Sequence, residues 1–195
     1  MGKDNKLHII LLGRRNSGKS SLINALTGQN IAIVSDVAGT TTDLVKRSYE
    51  IPDFASVIFI DTAGIDDSGP LGEMRVEKTR NAISQADMAL LVVTNNHFGE
   101  HERQLAEQLK KSEIPFLVIH NKRDEVALTP ALKEKLTTTY HCPVIDYSTR
   151  EDNTDLILDA LKSTWKKDNA PKSLIGDLLS PGDIVLLITP IDSEA

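Results

Sequence analysis

Residues Gly13-Arg14-Arg15-Asn16-Ser17-Gly18-Lys19-Ser20 have the spacing G-x-x-x-x-G-K-S, and they stand between an apolar run, Leu7 to Leu12, and a helical segment, Ser20 to Leu26. No other feature constrains the fold as strongly. Glycines allow the backbone to turn tightly with its N–H groups facing inward around phosphate oxygens, and the helix that follows adds the positive end of its dipole. In such a loop Lys19 reaches the β- and γ-phosphates of a nucleotide, and the Ser20 hydroxyl ligates Mg²⁺. The context the loop requires, a strand before it and a helix after it, is present.

The rest of the chain keeps the same rhythm. Leu7 to Leu12, Val57 to Ile60, Met88 to Val93, Phe116 to Ile119 and Val144 to Ile145 are short and continuously apolar, as strands buried on both faces of a parallel sheet are. Helical patterns at Ser20 to Leu26, Glu73 to Gln85, Glu100 to Lys111, Ala131 to Thr139 and Thr154 to Lys166 separate them. Val45 to Ile51 alternates polar and apolar residues and turns through Pro52-Asp53, which predicts an antiparallel edge strand in a hairpin. The expected fold is α/β: a mostly parallel, doubly wound sheet with one antiparallel edge strand and helices on both faces.

After Trp165 the polar stretch Lys166 to Pro171 reads as a linker. The expected organisation is therefore one domain over residues 1–167, with 168–195 forming a linker and the first elements of a following domain that this chain lacks. At 195 residues such a domain can bury a full core without metal or disulfide staples. The 28 acidic residues against 22 basic ones, a net charge of −6, argue against binding nucleic acid or acidic lipid through general electrostatics. No apolar run approaches the roughly 18 residues of a membrane span. The single Cys142 makes no internal disulfide and cannot by itself hold an iron–sulfur cluster, so the expected setting is a reducing, cytoplasmic one.

Two further motifs specify the ligand. Asp61-Thr62-Ala63-Gly64 ends a buried strand, where Asp61 can hold the hydration shell of Mg²⁺ and the Gly64 N–H can sense the γ-phosphate. Asn121-Lys122-Arg123-Asp124 ends a later strand and chooses the base. The Asp124 carboxylate can accept from both N1–H and the exocyclic amine of guanine, a donor pair that adenine lacks. The expected ligand is GTP or GDP with Mg²⁺. The nucleotide-binding set read from these motifs is Gly13, Asn16, Ser17, Gly18, Lys19, Ser20, Ser21, Asn121, Lys122 and Asp124.

These residues resemble the translation-factor-related P-loop GTPases, and within them the branch that regulates tRNA modification and ribosome assembly. The shared features are Asn16, Gly39-Thr40-Thr41-Thr42-Asp43 and Asp61 to Gly64. Gly13 to Leu26, Ile33-Val34-Ser35-Asp36, Arg75-Val76-Glu77-Lys78-Thr79 and the tail Gly182 to Asp192 resemble the HydF family of FeFe-hydrogenase maturation GTPases. The resemblance implies a slow GTPase of a maturation scaffold, with Lys19, Thr41 and Gly64 as catalytic residues. Ser20, Thr41 and Asp61 would hold Mg²⁺, and Asn16 would hold an activating K⁺. It further implies maturation partners reached through the missing domains, no membrane or nucleic acid at this domain, and a monomer or weak dimer. The alternatives are a ribosome-assembly or tRNA-modification GTPase domain, and a nucleotide-state binding module whose hydrolysis is incidental.

The sequence departs from that pattern in two places. On the guanine side of the nucleotide Tyr147-Ser148-Thr149 stands where the family usually has Ser-Ala, and a backbone N–H of Ser148 or Thr149 can still serve the base. Ile65 follows Gly64 where the Ras type has a water-orienting Gln. Elsewhere the bland readings are expected to hold. His97 to His101 matches H-x-x-E-H, but Gly99 breaks that helix, leaving a solvated loop with Glu100 and Glu102 in the following first turn. Cys142 reads as a small buried apolar residue, and Arg14 and Arg15 as contacts to phosphate or a partner, or else as a solvated loop tip.

Overall fold

The computed structural model describes residues 6–28, 45–62, 79–151 and 154–168. Six strands form one sheet: β1 (Leu7–Leu12), β2 (Val45–Ile51), β3 (Ala55–Asp61), β4 (Met88–Val93), β5 (Phe116–His120) and β6 (Val144–Asp146). Their order is β2-β3-β1-β4-β5-β6, with β2 and β3 antiparallel and every other neighbouring pair parallel. The helices are α1 (Lys19–Thr27), α2 (residues 79–84), α3 (Glu100–Lys111), α4 (Pro130–Tyr140) and α5 (Asp155–Asp168). The expected fold class is what the structure shows.

Alternation along the strands explains why helices cover both faces. On β1, Ile9 and Leu11 face one core with Leu22, Ile23 and Leu26 of α1 and Ile157 and Leu161 of α5. Ile10 and Leu12 face the other, with Ala82 and Ile83 of α2, Leu105 and Leu109 of α3, and Leu136 of α4. Each fully buried aliphatic side chain contributes about 1.5–3 kcal/mol, so the central strands of continuous Ile, Leu and Val anchor the sheet. The β2–β3 hairpin closes through Asp53, whose φ of 56° lies in the left-handed region that Asp tolerates in turns.

This topology positions the site. From β1 the chain crosses to β3 on one side and later returns to pair β4 on the other, so strand order reverses at β1. The carboxyl ends of β1, β3, β4 and β5 therefore open onto one crevice, the place where doubly wound sheets bind ligands. The motifs at 13–20, 61–62 and 121–124 all lie there.

Candidate nucleotide-binding site

The loop leaving β1 is built on two glycines at which any other residue would be strained. Gly13 has φ 138°, and a Cβ there would overlap the carbonyl oxygen of Val92 at the end of β4. Gly18 has φ 90° as the N-cap of α1, and a Cβ there would overlap the side-chain amide of Asn121. Asn16, exposed, also has a left-handed backbone at φ 62°. A backbone turned this way can aim successive N–H groups at an anion, and α1 begins without an acidic residue in its first turn to oppose one.

Lys19 is buried at 4% exposure, and its Nζ donates to the carbonyl oxygens of Gly13 at 2.5 Å and Arg14 at 2.9 Å. Its charge is thus held inside the loop, where phosphate oxygens would meet it. The Ser20 hydroxyl donates to Asp61 Oδ2 at 2.5 Å. Two hard oxygen donors from α1 and β3 meet at one point, a donor set that suits Mg²⁺. Thr62 Oγ1 donates to the carbonyl oxygen of Leu11 at 2.6 Å and locks the end of β3 onto β1.

On the base side, Asn121 Nδ2 donates to the carbonyl oxygen of Ser17 at 3.0 Å, tying the end of β5 to the phosphate loop. Asp124 Oδ1 accepts from the Ser148 hydroxyl at 2.7 Å, and Oδ2 pairs with Arg150 at 3.0 Å. The Ser148 hydrogen bond, with Arg150 adding to it, holds the Asp124 carboxyl below its ordinary range. It stays an anion, as an acceptor for two N–H donors must. The backbone of Arg123 donates to Tyr147, and that of Tyr147 to His120, so the segments 120–124 and 146–148 form one unit. Ser17 Oγ and Asn121 Oδ1 are buried and have no partner among the described residues. Buried polar atoms are nearly always paired in folded proteins, and two orphans in one crevice fit a ligand-binding place.

The structure thus brings together Gly13, Ser17, Gly18, Lys19, Ser20, Asp61 and Asn121, with Asp124 and Ser148 in a second cluster joined to the first through β5. Ser21 lies on the exposed face of α1, Lys122 has a left-handed backbone (φ 64°), and Thr149 is half-buried. Thr41, Gly64, Ile65 and the Gly39 to Thr42 segment lie outside the described residues.

Three relationships were not foreseen from sequence. Glu102 is not a solvated first-turn acid: it is 1% exposed and accepts from Arg14 Nε at 2.6 Å and Nη2 at 3.3 Å. Arg14 thereby pairs with α3 while its side chain stays half-exposed. His120, fully buried, receives the Asn96 backbone N–H on Nε2 at 3.1 Å, so its proton sits on Nδ1 and is donated to Asp146 at 2.7 Å. Arg150, the third, closes over Asp124. Among the described residues, which include His97 and His101, no group of three or more His, Cys, Asp or Glu side chains is placed to hold a metal ion. Cys142 is buried at 6%, its thiol pushed up to about 11 by desolvation, hence inert. Among the described residues no helix is long and apolar enough to cross a membrane.

A glycine-framed phosphate loop, an Asp–Ser pair suited to Mg²⁺ and a guanine-side carboxylate on this sheet define a P-loop GTPase domain. The chain belongs to the 50S ribosome-binding GTPase family, whose model matches residues 8–122. It is 39% identical over 129 residues to the tRNA modification GTPase MnmE of Hydrogenovibrio crunogenus, and 40% identical over 130 residues to that of Nitrosomonas europaea. Each match covers 66% of this chain and 28% of the relative, so the chain spans less than a third of the proteins it resembles. Among solved structures, Aquifex aeolicus Era bound to GDP.AlF4⁻ superposes with a TM-score of 0.66 at 24% identity, over 80% of this chain and 56% of that one. The G domain of the T. maritima FeoB iron transporter gives 0.63 at 21%, over 84% and 99%. At these identities the two structures share the fold.

Proposed function

We propose that this GTPase domain works as the nucleotide-controlled switch of a larger protein, with the roles read from its sequence. Lys19 neutralises the β- and γ-phosphates, Ser20 and Thr41 ligate Mg²⁺ with Asp61 behind its water shell, and the Gly64 N–H reports the γ-phosphate. Asp124 selects guanine, with Ser148 orienting it and Thr149 lending backbone. When bound, Mg²⁺ supplies charge neutralisation on the triphosphate. Asn16 offers a side-chain carbonyl to K⁺ beside the phosphates, which compensates for Ile65 where a water-orienting Gln is absent.

The carrying observation is the pairing of a buried Lys19 with the Ser20–Asp61 contact across the crevice from a Ser148-oriented Asp124. Binding of labelled GDP, competed by GTP, GDP and ATP with and without Mg²⁺, tests it. Guanine nucleotides should compete and ATP should not; equal competition by ATP defeats the reading.

For what the switch controls, the names of the relatives favour tRNA modification or ribosome assembly, one of the alternatives drawn from the sequence. RNA would then be handled by the whole protein, while this acidic domain contributes little general electrostatic attraction to it. A second reading, hydrogenase maturation, rests on the HydF-like stretches at 75–79 and 182–192, the latter beyond the span matched by the family model. On either reading residues 1–167 are the GTPase domain and 168–195 lead toward another, in a cytoplasmic protein. The full-length protein separates the two readings. Cysteine-bound iron–sulfur signals in electron paramagnetic resonance would support maturation, and retention of tRNA in a gel shift would support modification.

A further inference from the structure

The phosphate loop is held from two sides. On the base side Asn121 donates to Ser17. On the far side Arg14, whose carbonyl oxygen takes both Lys19 Nζ at 2.9 Å and the Ser17 N–H at 3.3 Å, is clamped by Glu102 at the start of α3. Glu102 is itself fixed, since its Oε2 accepts from the Gly99 N–H at 2.8 Å. The stretch leading to Gly99 is equally constrained. Asn95 and Asn96 both have left-handed backbones, and the Asn96 side chain donates to the Ala127 carbonyl and accepts from the Thr129 N–H. The Asn96 N–H reaches His120, the residue before Asn121. A closed circuit of hydrogen bonds and backbone therefore runs from Ser17 through Asn121, His120, Asn96, Gly99, Glu102 and Arg14 back to the loop. Strained backbone that persists in an over-determined setting is characteristic of sites that must stay pre-organised.

We infer that Glu102 is a positioning residue for nucleotide binding: through Arg14 it sets the first turn of the phosphate loop and so the place of Lys19. The inference rests on reading residues 13–20 as that loop. Arg14 is half-exposed while Glu102 is sealed at 2% side-chain exposure, so the pair acts as a tether from the core to a surface loop. Loosening it leaves the guanine contacts of Asp124 in place and lets the nucleotide leave faster.

The test is stopped-flow release of fluorescent GDP and GTP from the unmodified protein, Glu102→Gln, Arg14→Met and the double variant, with KM and kcat for GTP and a melting temperature for each. Glu102→Gln keeps the shape and an acceptor for the Gly99 N–H while removing the charge that pairs with Arg14. Each single variant should speed release about tenfold, the scale of one lost charge-assisted contact, and raise KM more than it lowers kcat. The double variant should be no worse than the worse single one, because both remove the same tether. Should Glu102→Gln fail to fold, Arg14→Met, at the exposed end, carries the same rate measurement. Lowered melting with unchanged release would make the pair merely structural and overturn the inference, as would additive effects, which would mean that Arg14 acts on the nucleotide alone. Lys19→Ala is the control. If it binds nucleotide as the unmodified protein does, the reading of the loop has failed; if it loses nucleotide while Glu102→Gln does not, only the positioning role has failed.

Discussion

Asn121 Nδ2 donates to the carbonyl oxygen of Ser17 at 3.0 Å, so the residue that opens the guanine motif also fastens the phosphate loop. The two halves of the site are not independent pockets. Removing this donor should loosen both.

Asn121→Ala leaves the buried Ser17 carbonyl without that donor, a loss of about 1–3 kcal/mol for an unsatisfied buried acceptor. The domain should melt at lower temperature and bind GTP more weakly. Calorimetric melting with and without GDP checks this: the stabilisation by GDP should shrink, and a variant with unaltered GDP stabilisation contradicts the coupling.

Lys19→Ala should abolish most nucleotide affinity, and Ser20→Ala should weaken the Mg²⁺-dependent part of binding. Both should keep the circular dichroism of the unmodified chain, because neither Lys19 Nζ nor the Ser20 hydroxyl packs against a hydrophobic core. GTP titrations at several Mg²⁺ concentrations measure both effects, and unchanged GTP binding by the two folded variants disproves the assignment.

Much of this was legible in the sequence. The spans β1, β2, β4 and α3 were anticipated to the residue because Gly13, Pro52, Gly99 and the polar Thr94 and Ser112 punctuate them. That Ser20 and Asp61 meet was legible as well, since both sit at fixed places in short motifs. The Glu102–Arg14 pair was not. It joins residues 88 apart, and nothing local distinguishes a buried acid at the third position of a helix from the usual solvated one. His120 and Asp146 likewise meet across two neighbouring strands, where a His ending an apolar run carries no mark of its partner.

Burial by itself would raise the Glu102 carboxyl, but its hydrogen bonds from Arg14 and the Gly99 N–H outweigh that and lower it below the ordinary 4.5. A depressed folded-state value means the pair stabilises the fold above about pH 4.5 and loses that contribution as pH falls through the lower, folded value. The stability difference between the unmodified protein and Glu102→Gln should therefore be constant near neutrality and shrink below pH 4.5. Urea unfolding at a series of pH values gives the profile, and a gap that widens on acidification would be contrary.

GTP hydrolysis should run faster in KCl than in NaCl at equal ionic strength, and Asn16→Ala should remove the difference. Exposed Asn16 carries a side-chain carbonyl in the loop, and Ile65 stands where Gln is absent. Steady-state rates over a range of protein concentration measure it, and equal rates in both salts at every concentration eliminate the K⁺ site.

The central claim is that this is a guanine-nucleotide switch whose base is chosen by one ionised carboxylate. Titration calorimetry of GTP, XTP and ATP into the unmodified domain and into Asp124→Asn tests it directly. An amide at position 124 can donate to the oxygen that replaces the guanine amine in xanthine, so the variant should prefer XTP while the unmodified protein prefers GTP and both refuse ATP. Retained GTP preference in Asp124→Asn, or ATP binding as tight as GTP in the unmodified domain, would contradict the account.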